Sequence, residues 1–533
     1  MLRKRKEKIF AYLRGKFGKD PLQSDASQLC RERLPQIGIL YNTFRNEEPK
    51  KDLSLDDITW SDLEMDEVFL RINQTQSYIG EQTLYRLLRS GQEPFFRDHP
   101  EMMDLLNDNE EIRLDLSLRL ARIGKRFENY YIPEFFASAD VLRPQNAWIF
   151  RILQTALAVT AVLTAVMHTA PFLLAFAVSI GVNFVVSCVM KMKYDVLLTS
   201  LTGIGNMLDL YNWCIHEKNS IFPCSKQLES AWTALRKIRK KIGILVYLKQ
   251  ASASGDVLGI LFDYLFGVTL LDVGRIDSIL KRISEGQEEM LEAYTYVGKL
   301  DAAVSILSFR RSLPGWTAPA FTDTEGLAVR GLYHPLLQDP VSNDFILNGK
   351  AIITGANASG KSTFMKALAV NVVLAQTIDT CSCSELSLPL LKVMTSMAIR
   401  DDVVSGESYY VREVRYLKRM LDEISRGTMS LYIIDEILKG TNQKERLAAS
   451  EAVLDYISRH RGLCLIATHD MELVDNLQDK YEPYYFESQI KDDNVTFDYR
   501  IHKGRGGESN AIALLQEFGF PDEIVQQAQG SLL

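Results

Sequence analysis

The longest apolar stretch of the chain covers residues 152–190 and contains no Asp, Glu, Lys or Arg. The segment His168-Thr-Ala-Pro171 interrupts it near the middle. Each half is close to the roughly 20 apolar residues that an α-helix needs to cross a bilayer. The pattern therefore predicts a helical hairpin over residues 147–194 that crosses a membrane twice. The alternative is a hairpin buried in a large soluble core, although few soluble helices are apolar on every side.

Basic residues flank the predicted hairpin at its base. Arg143 and Arg151 precede or open the first helix, Lys191 and Lys193 follow the second, and the connecting loop has no Lys or Arg. Because basic flanks remain in the cytoplasm, we expect a multi-pass protein of the cytoplasmic membrane with both soluble parts in the cytoplasm. Three polar side chains within the spans are expected to pair between the two helices instead of facing lipid: Gln154, Asn183 and Ser187.

The remaining chain divides by its hydrophobic period. Apolar residues recur at helical spacing in 201–215 and 228–247, and 276–303 is predicted as one long helix. After Pro314-Gly315, short apolar runs alternate with helical segments, which is typical of an α/β domain. The predicted fold is an α/β domain with a mixed sheet flanked by helices, preceded by an all-α region that carries the hairpin. The predicted parts are a basic tail at 1–50, a helical segment at 51–146, the hairpin at 147–194, a helical lever region at 195–312 and the α/β domain at 313–533.

Composition sets limits on the partners. The 533-residue chain has a net charge of -7 and a pI near 5.7, so it carries no global sign of nucleic-acid binding. Two local basic patches, residues 3–19 and 236–241, are candidates for contact with DNA phosphates or anionic lipid heads. Each is equally well explained as a solvated helix face or a positive-inside signal. The seven cysteines lack a zinc-ligand pattern and are typical of reduced cytoplasmic thiols.

A phosphate-binding motif stands at the start of the α/β part. Residues 355–363 read Gly-Ala-Asn-Ala-Ser-Gly-Lys-Ser-Thr, the pattern G-x-x-x-x-G-K-S, and they follow a short apolar run. Gly355 and Gly360 let backbone N–H groups curl around phosphate oxygens. Lys361 adds a positive charge and Ser362 offers a hydroxyl to Mg²⁺. The motif predicts binding of a nucleoside triphosphate with Mg²⁺.

Two later apolar runs end in candidate catalytic groups. Residues 430–434 lead into Asp435 and Glu436, a pattern that completes a phosphate-loop ATPase. We expect Asp435 to hold Mg²⁺ and Glu436 to act as general base on the attacking water. Residues 463–468 lead into His469. A lone histidine is more often structural, but at the carboxyl end of a parallel-type strand we expect His469 to contact the γ-phosphate.

These motifs and the residues around them resemble the ATPase domain of the MutS family, which belongs to the ABC-type ATPases. Residues 354–363 are similar to the family's T-G-P-N-M-G-G-K-S-T and keep Asn357. Residues 435–441 stand where the family writes D-E-I-G-R-G-T, and 467–469 where it writes A-T-H. Residues 401–410 resemble D-D-x-x-x-G-x-S-T-F. The resemblance is strong after residue 320 and moderate back to about residue 55.

The resemblance implies an ATPase with ATP and Mg²⁺ as cofactors. It also implies a homodimer, because in the family two nucleotide sites form between two subunits and each phosphate loop faces the other subunit's signature loop. Asn357 and Thr363 are implied nucleotide contacts. Ser408 is the implied phosphate contact across the dimer.

The chain departs from the family pattern at several positions. Pro340 stands where the family often has an aromatic residue that stacks on adenine, and Tyr499 is the candidate substitute. Leu438 and Lys439 replace Gly-Arg, which predicts altered contacts across the dimer. None of the 24 phenylalanines has a glutamate two positions later. We therefore expect no mismatch reading by the family's Phe-x-Glu wedge.

Three functional classes follow from these patterns. The favoured class is a membrane-anchored MutS-like ATPase that hydrolyses ATP at a dimer interface and binds DNA by shape or backbone. The alternative is a membrane-bound nucleotide switch that engages a protein or lipid partner without binding DNA. A transporter is disfavoured, because a dimer would supply only four spans and no charged residue lines them.

Overall fold

The computed structural model describes residues 2–45, 53–144, 146–218, 221–253, 257–356, 359–397, 409–491, 494–506 and 520–530. Helices form the first three-fifths of the chain. They are α1 (Leu2–Lys16), α2 (Asp25–Glu32), α3 (Leu34–Ile37), α4 (Ile39–Phe44), α5 (Asp57–Asp62), α6 (Met65–Ile72), α7 (Tyr78–Ser90), α8 (Phe95–Asp98), α9 (Pro100–Asp108), α10 (Glu110–Ile123), α11 (Ile132–Ala137), α12 (Ala139–Leu142), α13 (Ala147–Met167), α14 (Ala170–Lys193), α15 (Asp195–Asn212), α16 (Lys226–Ala253), α17 (Val257–Val268), α18 (Leu271–Glu285) and α19 (Gln287–Ser312). Shorter helical turns cover Pro21–Gln23, Phe127–Tyr131 and Trp213–Glu217.

The amino-terminal segment belongs to the helical body. The sequence predicts a basic tail over residues 1–50, but α2 to α4 instead bury Cys30, Ile37, Leu40 and Phe44 in the main core. The reason is that α3 and α4 pack against α7, and α4 also packs against α11, so their apolar side chains leave water there.

Helices α7 and α19 pack at very short distance in the centre of the helical region. A Cβ on Gly298 of α19 would lie 1.9 Å from Thr83 Oγ1 of α7. The buried Asp301 of α19 accepts hydrogen bonds from the backbone N–H groups of Gln76 (2.9 Å) and Ser77 (2.8 Å). Asp301 thus satisfies backbone N–H groups of the segment that leads into α7.

Helices α13 and α14 form the predicted hairpin. Among the described residues, two helical stretches, Trp148–Met167 and Ala170–Lys193, are long and apolar enough to cross a membrane. Their outward side chains are not covered by the rest of the chain, and Val162 is 62% exposed. This exposure does not fit the alternative of a hairpin buried in a soluble core.

Two polar residues of the hairpin, Gln154 and Asn183, are expected from the sequence to pair between its two helices. Gln154 Nε2 instead donates to Thr269 O at 3.0 Å, and Asn183 Nδ2 donates to Val268 O at 2.8 Å. Both amides satisfy carbonyl groups at the end of α17, a contact between segments far apart in sequence.

The carboxyl-terminal part contains two sheets. Its strands are β1 (Ala320–Phe321), β2 (Leu327–Leu332), β3 (Asn343–Leu347), β4 (Lys350–Thr354), β5 (Glu385–Leu388), β6 (Lys392–Ser396), β7 (Ser430–Asp435), β8 (Leu463–Ala467), β9 (Glu482–Lys491) and β10 (Asn494–Lys503). Its helices are α20 (Lys361–Ile378), α21 (Tyr409–Arg426), α22 (Gln443–Ser458), α23 (Met471–Asn476) and α24 (Asp522–Gly530). The smaller sheet has the order β1-β5-β2-β3 and the larger one β10-β9-β4-β8-β7-β6.

The larger sheet brings the predicted chemistry to one edge. Strands β4, β8 and β7 are neighbours and run parallel, while β9 and β10 pair antiparallel. The carboxyl ends of β4, β7 and β8, which carry the three sequence motifs, therefore lie side by side. The expected class, mixed sheets flanked by helices together with a mostly helical part, is confirmed.

Several contacts join the helical region to the sheet region. Arg310, near the end of α19, donates to Thr380 Oγ1 at 2.8 Å and to Asp379 O at 2.7 Å, just after α20. Asp62 of α5 accepts from Thr395 Oγ1 at 2.7 Å and from the N–H of Met397 at 3.0 Å, at the end of β6. These hydrogen bonds connect the helical region to the sheet region at the end of α20 and at the end of β6.

Candidate nucleotide site

The phosphate-binding motif connects β4 to α20, as its sequence context predicts. Gly355 and Gly360 both have positive φ angles, 139° and 101°. A Cβ on Gly355 would lie 2.9 Å from Phe486 O, and one on Gly360 would lie 3.2 Å from a ring carbon of Tyr499. Both positions therefore need glycine for backbone conformation and for space. The predicted contact Asn357 lies outside the described residues.

Lys361 begins helix α20 and folds back over the loop. Its Nζ donates to Gly355 O at 2.6 Å and to Ala356 O at 2.8 Å. Burial lowers the pKa of Lys361, and the nearby carboxylates of Asp435 and Glu436 act in the opposite direction. The ammonium group thus lies at the loop whose shape is suited to phosphate.

Ser362 and Asp435 meet at the base of the site. Ser362 Oγ donates to Asp435 Oδ2 at 2.6 Å, which joins the first turn of α20 to the end of β7. A hydroxyl and a carboxylate oxygen are hard donors of the kind that Mg²⁺ takes together with phosphate oxygens. The donor set therefore fits the predicted Mg²⁺ site.

Glu436 and His469 come together from adjacent strands. The Glu436 backbone N–H donates to Ala467 O at 3.0 Å, and His469 Nδ1 lies 3.3 Å from Glu436 Oε2. Glu436 has a φ of 56°, in the left-handed region, which costs a non-glycine residue about 1–3 kcal/mol. The fold holds the carboxylate in this orientation despite that cost.

Lys439 lies beside the candidate base. Its Nζ is 2.7 Å from Glu436 Oε2. Burial raises the pKa of Glu436, but the hydrogen bond and charge of Lys439 and the contact with His469 outweigh burial, so the pKa lies below its ordinary value. From the sequence alone, Lys439 is a departure from the family pattern and predicts only altered contacts across a dimer. Its contact with Glu436 in the same chain is a feature of the site that sequence reasoning missed.

A cleft of about 590 Å³ opens above these groups. The residues that line it include Tyr333, His334, Val341, Phe486 and Tyr499. Tyr499 lies where the pairing of β10 is irregular; it has a positive φ of 55°, and its carbonyl accepts from Asn343 Nδ2 at 3.0 Å. Thr363, the last residue of the phosphate-binding motif, also lines the cleft.

His334 is a neutral group in this wall. Burial lowers its pKa to about 4, and the positive charge of Lys366 acts in the same direction. Its Nδ1 accepts from the N–H of Leu336 at 3.3 Å. His334 is therefore uncharged at neutral pH and shapes the cleft without adding a cation to it.

Comparisons with known proteins agree with this geometry. Residues 351–533 match the family model described as MutS domain V. The matches support the MutS family for this chain. The DNA mismatch repair protein MutS of Natronomonas pharaonis is 27% identical over 270 residues, which are 48% of this chain and 31% of the relative. The protein of the same name from Thermosipho melanesiensis is 28% identical over 274 residues, 49% of this chain and 33% of the relative.

The extent of the match limits what it says. The chain spans about a third of the length of these curated MutS relatives. Lys361, Ser362, Asp435, Glu436 and His469 all lie within the region that matches MutS domain V. The hairpin lies outside that region. The match therefore covers the part of the chain that carries the candidate site, and the relatives that share it are named DNA mismatch repair protein MutS.

One buried carboxylate of the MutS-like region is absent from the sequence prediction. Glu413 of α21 is 1% exposed and accepts the N–H groups of Lys439 at 3.0 Å and Gly440 at 3.4 Å. Burial raises its pKa, and these backbone hydrogen bonds oppose the rise. Glu413 thereby ties the helix that follows the signature motif to the loop after Glu436. The predicted trans contact Ser408, five residues earlier, lies outside the described residues.

A sequence signal for Glu413 does exist. The buried face of α21 carries Leu417, Met420 and Ile424 at helical spacing, with Tyr410 packed against the same core. Glu413 falls on this face between Tyr410 and Leu417. A carboxylate at an apolar-face position requires a buried partner. The position of a carboxylate on an apolar helix face therefore marks Glu413 as a residue with a buried partner.

Proposed function

We propose that this chain is a membrane-anchored MutS-like ATPase that binds and hydrolyses ATP between two copies of itself and acts on DNA. The observation that carries the ATPase part is the meeting of Ser362 with Asp435 at 2.6 Å, directly beside Glu436. Three motifs separated in sequence supply a phosphate cradle, a Mg²⁺ site and a base at one sheet edge. This arrangement is what phosphoryl transfer to water requires.

Each group has a role in the proposed reaction. Ser362 and Asp435 hold Mg²⁺, which when bound neutralises charge on the phosphate oxygens. Lys361 exchanges its carbonyl contacts for phosphate oxygens. Glu436 accepts a proton from the attacking water, and the Lys439 ammonium keeps its carboxylate ionised for that task. We expect His469, which lies 3.3 Å from the Glu436 carboxylate, to donate to the γ-phosphate.

The proposed active unit is a homodimer. Its support is the MutS resemblance, in which each phosphate loop faces the signature loop of the other subunit. Ser408 of a second copy would then contact the nucleotide. Glu436→Gln with ATP is expected to trap the dimer in detergent, and a monomer under those conditions would refute this part of the proposal.

Membrane anchoring rests on α13 and α14. Their length, composition and outward apolar side chains suit two spans with both soluble parts in the cytoplasm. The proposal predicts that the full chain stays in the membrane pellet after a carbonate wash. Complete extraction would refute the anchoring and leave the ATPase proposal intact.

The relatives' name, DNA mismatch repair protein, motivates the DNA part. On α16, the side chains of Arg236, Lys237 and Lys240 are exposed and offer positive charge to a phosphate backbone. The hairpin adds a constraint, because any DNA must approach a protein held at a membrane. Contact through phosphates would make binding strongly dependent on salt.

A specific observation favours the second candidate, a nucleotide switch without DNA. Two cations of the same patch are engaged within the chain: Arg239 Nε is 2.7 Å from Asp209 Oδ1, and Lys241 donates to Ser278 Oγ. The patch that remains for DNA is therefore smaller than the sequence indicates. If the protein is a switch, Arg239 and Lys241 stabilise the packing of α16 against its neighbouring helices, and the exposed cations of α16 lie near anionic lipid.

One experiment separates the two candidates. ATP hydrolysis by the full chain in lipid nanodiscs is measured with no DNA and with duplex, mismatched or branched DNA at several salt concentrations, with Glu436→Gln as the blank. The DNA proposal expects stimulation that fades with salt and is lost when Arg236, Lys237 and Lys240 are all changed to alanine. Lys281→Ala, which removes an exposed lysine of α18, serves as the control. Hydrolysis that no DNA changes would favour the switch.

A further inference from the structure

Helix α17 is a third apolar element beside the hairpin. It has 12 residues with the sequence Val-Leu-Gly-Ile-Leu-Phe-Asp-Tyr-Leu-Phe-Gly-Val. Its outward side chains are large, apolar and exposed: Val257, Leu261, Phe262, Tyr264 and Leu265. A soluble helix in this position would place polar residues outward, so the exposed face of α17 needs a covering partner.

The hairpin holds the carboxyl-terminal end of α17 with specific contacts. The rings of Phe184 and Tyr264 stack with centroids 5.8 Å apart. The amide of Asn183, which is 1% exposed, donates a hydrogen bond to Val268 O. The amide of Gln154 donates to Thr269 O and Leu270 O. The exposed apolar surface of α17 is therefore continuous with that of α14.

These amide contacts indicate the surroundings of the helix end. The last carbonyl groups of a helix have no partner within the helix, and at a water-exposed surface water supplies one. In hydrocarbon no water is present, so every carbonyl must find a protein donor. Polar side chains within two otherwise apolar helices meet that requirement for α17.

The position along the hairpin agrees. Gln154 is only three residues after Arg151, and a Cβ on Gly267 would lie 4.0 Å from Lys191 Nζ. The end of α17 therefore meets the hairpin near its basic end, at the boundary between headgroups and acyl chains. At about 18 Å in length, α17 is too short to cross a hydrocarbon layer of about 30 Å. Its sequence also contains the charged residue Asp263, which suits partial entry near the headgroups better than a full crossing.

We propose that α17 is a membrane-embedded helix that enters the bilayer beside the hairpin without crossing it, with lipid acyl chains covering its exposed face. The inference rests on the membrane anchoring proposed above. It gives each subunit a membrane unit of three elements instead of two. Because α18 and α19 follow α17 directly along the chain, the third element also connects the bilayer to the helix that reaches the ATPase region.

The test measures the surroundings of single cysteines in the full chain. Cys188 and Cys224, the two cysteines that are not buried, are first changed to serine. Cysteine is then placed at Leu261 in α17, at Val162 in the hairpin and at Leu29 in the soluble part, which are 63%, 62% and 57% exposed in the chain. Leu265→Cys is a second α17 probe in case Leu261→Cys fails to fold. The protein is reconstituted in nanodiscs of phosphatidylcholine and phosphatidylglycerol, in which both faces are open to reagent.

Labelling with a charged maleimide distinguishes the outcomes. The proposal expects Leu261→Cys and Val162→Cys to react more than about tenfold more slowly than Leu29→Cys, because a charged reagent is excluded from hydrocarbon. Fast labelling of Leu261→Cys with protection of Val162→Cys would overturn the role of α17 and leave the hairpin standing. Fast labelling of both would refute the membrane anchoring itself.

Spin labels at the same cysteines identify what covers the face. Acyl chains give high accessibility to oxygen and low accessibility to a water-soluble nickel chelate. Low accessibility to both reagents at Leu261 would mean that protein, for instance a second copy, covers α17, and would overturn the proposal.

Discussion

The buried Glu413 carboxylate accepts the backbone N–H of Lys439 at 3.0 Å and joins helix α21 to the loop that follows Glu436. Changing Glu413 to alanine would leave the N–H groups of Lys439 and Gly440 without their acceptor, at about 1–3 kcal/mol for each buried group. We expect ATP turnover to fall by about tenfold or more, since a base displaced by a fraction of an ångström loses its alignment. Affinity for a fluorescent ATP analogue should change little.

The same helix offers a matched control. Asp422→Ala removes an exposed carboxylate of α21 that contacts Lys418 on the surface, and we expect normal turnover. Glu413→Gln keeps one carbonyl acceptor and should recover part of the lost turnover. If Glu413→Ala weakened analogue binding and turnover in the same proportion, the residue would support the fold of the site without positioning the base.

The contact between Ser362 and Asp435 predicts a specific dependence on Mg²⁺. Asp435→Asn and Ser362→Ala should each raise the Mg²⁺ concentration for half-maximal turnover by about tenfold or more, because each removes a group of the metal site. Ser362→Thr retains the hydroxyl and should stay close to the original value. A titration of turnover against Mg²⁺ at saturating ATP measures this, and an unshifted midpoint in Asp435→Asn would contradict the metal assignment.

The contact between Lys439 and Glu436 predicts a pH dependence. A general base works as the anion, and the pKa of Glu436 lies below its ordinary value because Lys439 and His469 outweigh the effect of burial. Lys439→Met removes the cation, so the pKa of Glu436 rises and activity is lost at a higher pH as the solution is acidified. The acid limb of the turnover profile should therefore move toward neutral pH, while turnover at alkaline pH changes less.

Lys444→Met is the matched control for that profile, because Lys444 is an exposed lysine on α22 close to the same loop in sequence. Its profile should match that of the unchanged protein. An unmoved acid limb in Lys439→Met would mean that Lys439 does not set the ionisation of Glu436.

The parts of the site that the sequence predicts are residues that follow the ends of predicted strands. Lys361, Ser362, Asp435 and Glu436 meet as expected, because parallel strands place their carboxyl ends at one edge whatever the intervening sequence. The apolar hairpin is visible in the sequence for a similar reason, since the length of an apolar run is a local property.

The parts that the sequence does not predict are contacts between distant segments. Asn183 meets Val268 across 85 residues, and Glu413 meets Lys439 across 26. In both cases the sequence shows that a polar group needs a partner but not which carbonyl or N–H group supplies it. The burial of Phe44 in the predicted basic tail has the same origin, because the surface that covers it comes from other helices.

The close packing of α7 and α19 predicts a strong effect of one added methyl group. Gly298→Ala would bring its Cβ to 1.9 Å from Thr83 Oγ1, and both positions are buried. Overpacking of this kind costs about 1–3 kcal/mol, so thermal unfolding in detergent should occur several degrees lower. Gly274→Ala on α18 is the control, because its Cβ meets nothing within 4 Å and alanine favours a helix by up to about 1 kcal/mol. The added Cβ would also lie 2.5 Å from Thr83 Cβ, so only Thr83→Gly removes every opposing atom, and combining it with Gly298→Ala should cost less than the sum of the two separate changes. If the two changes were instead additive, α7 and α19 would not approach each other at this point, and α19 would be less firmly coupled to the helical core than the structure indicates.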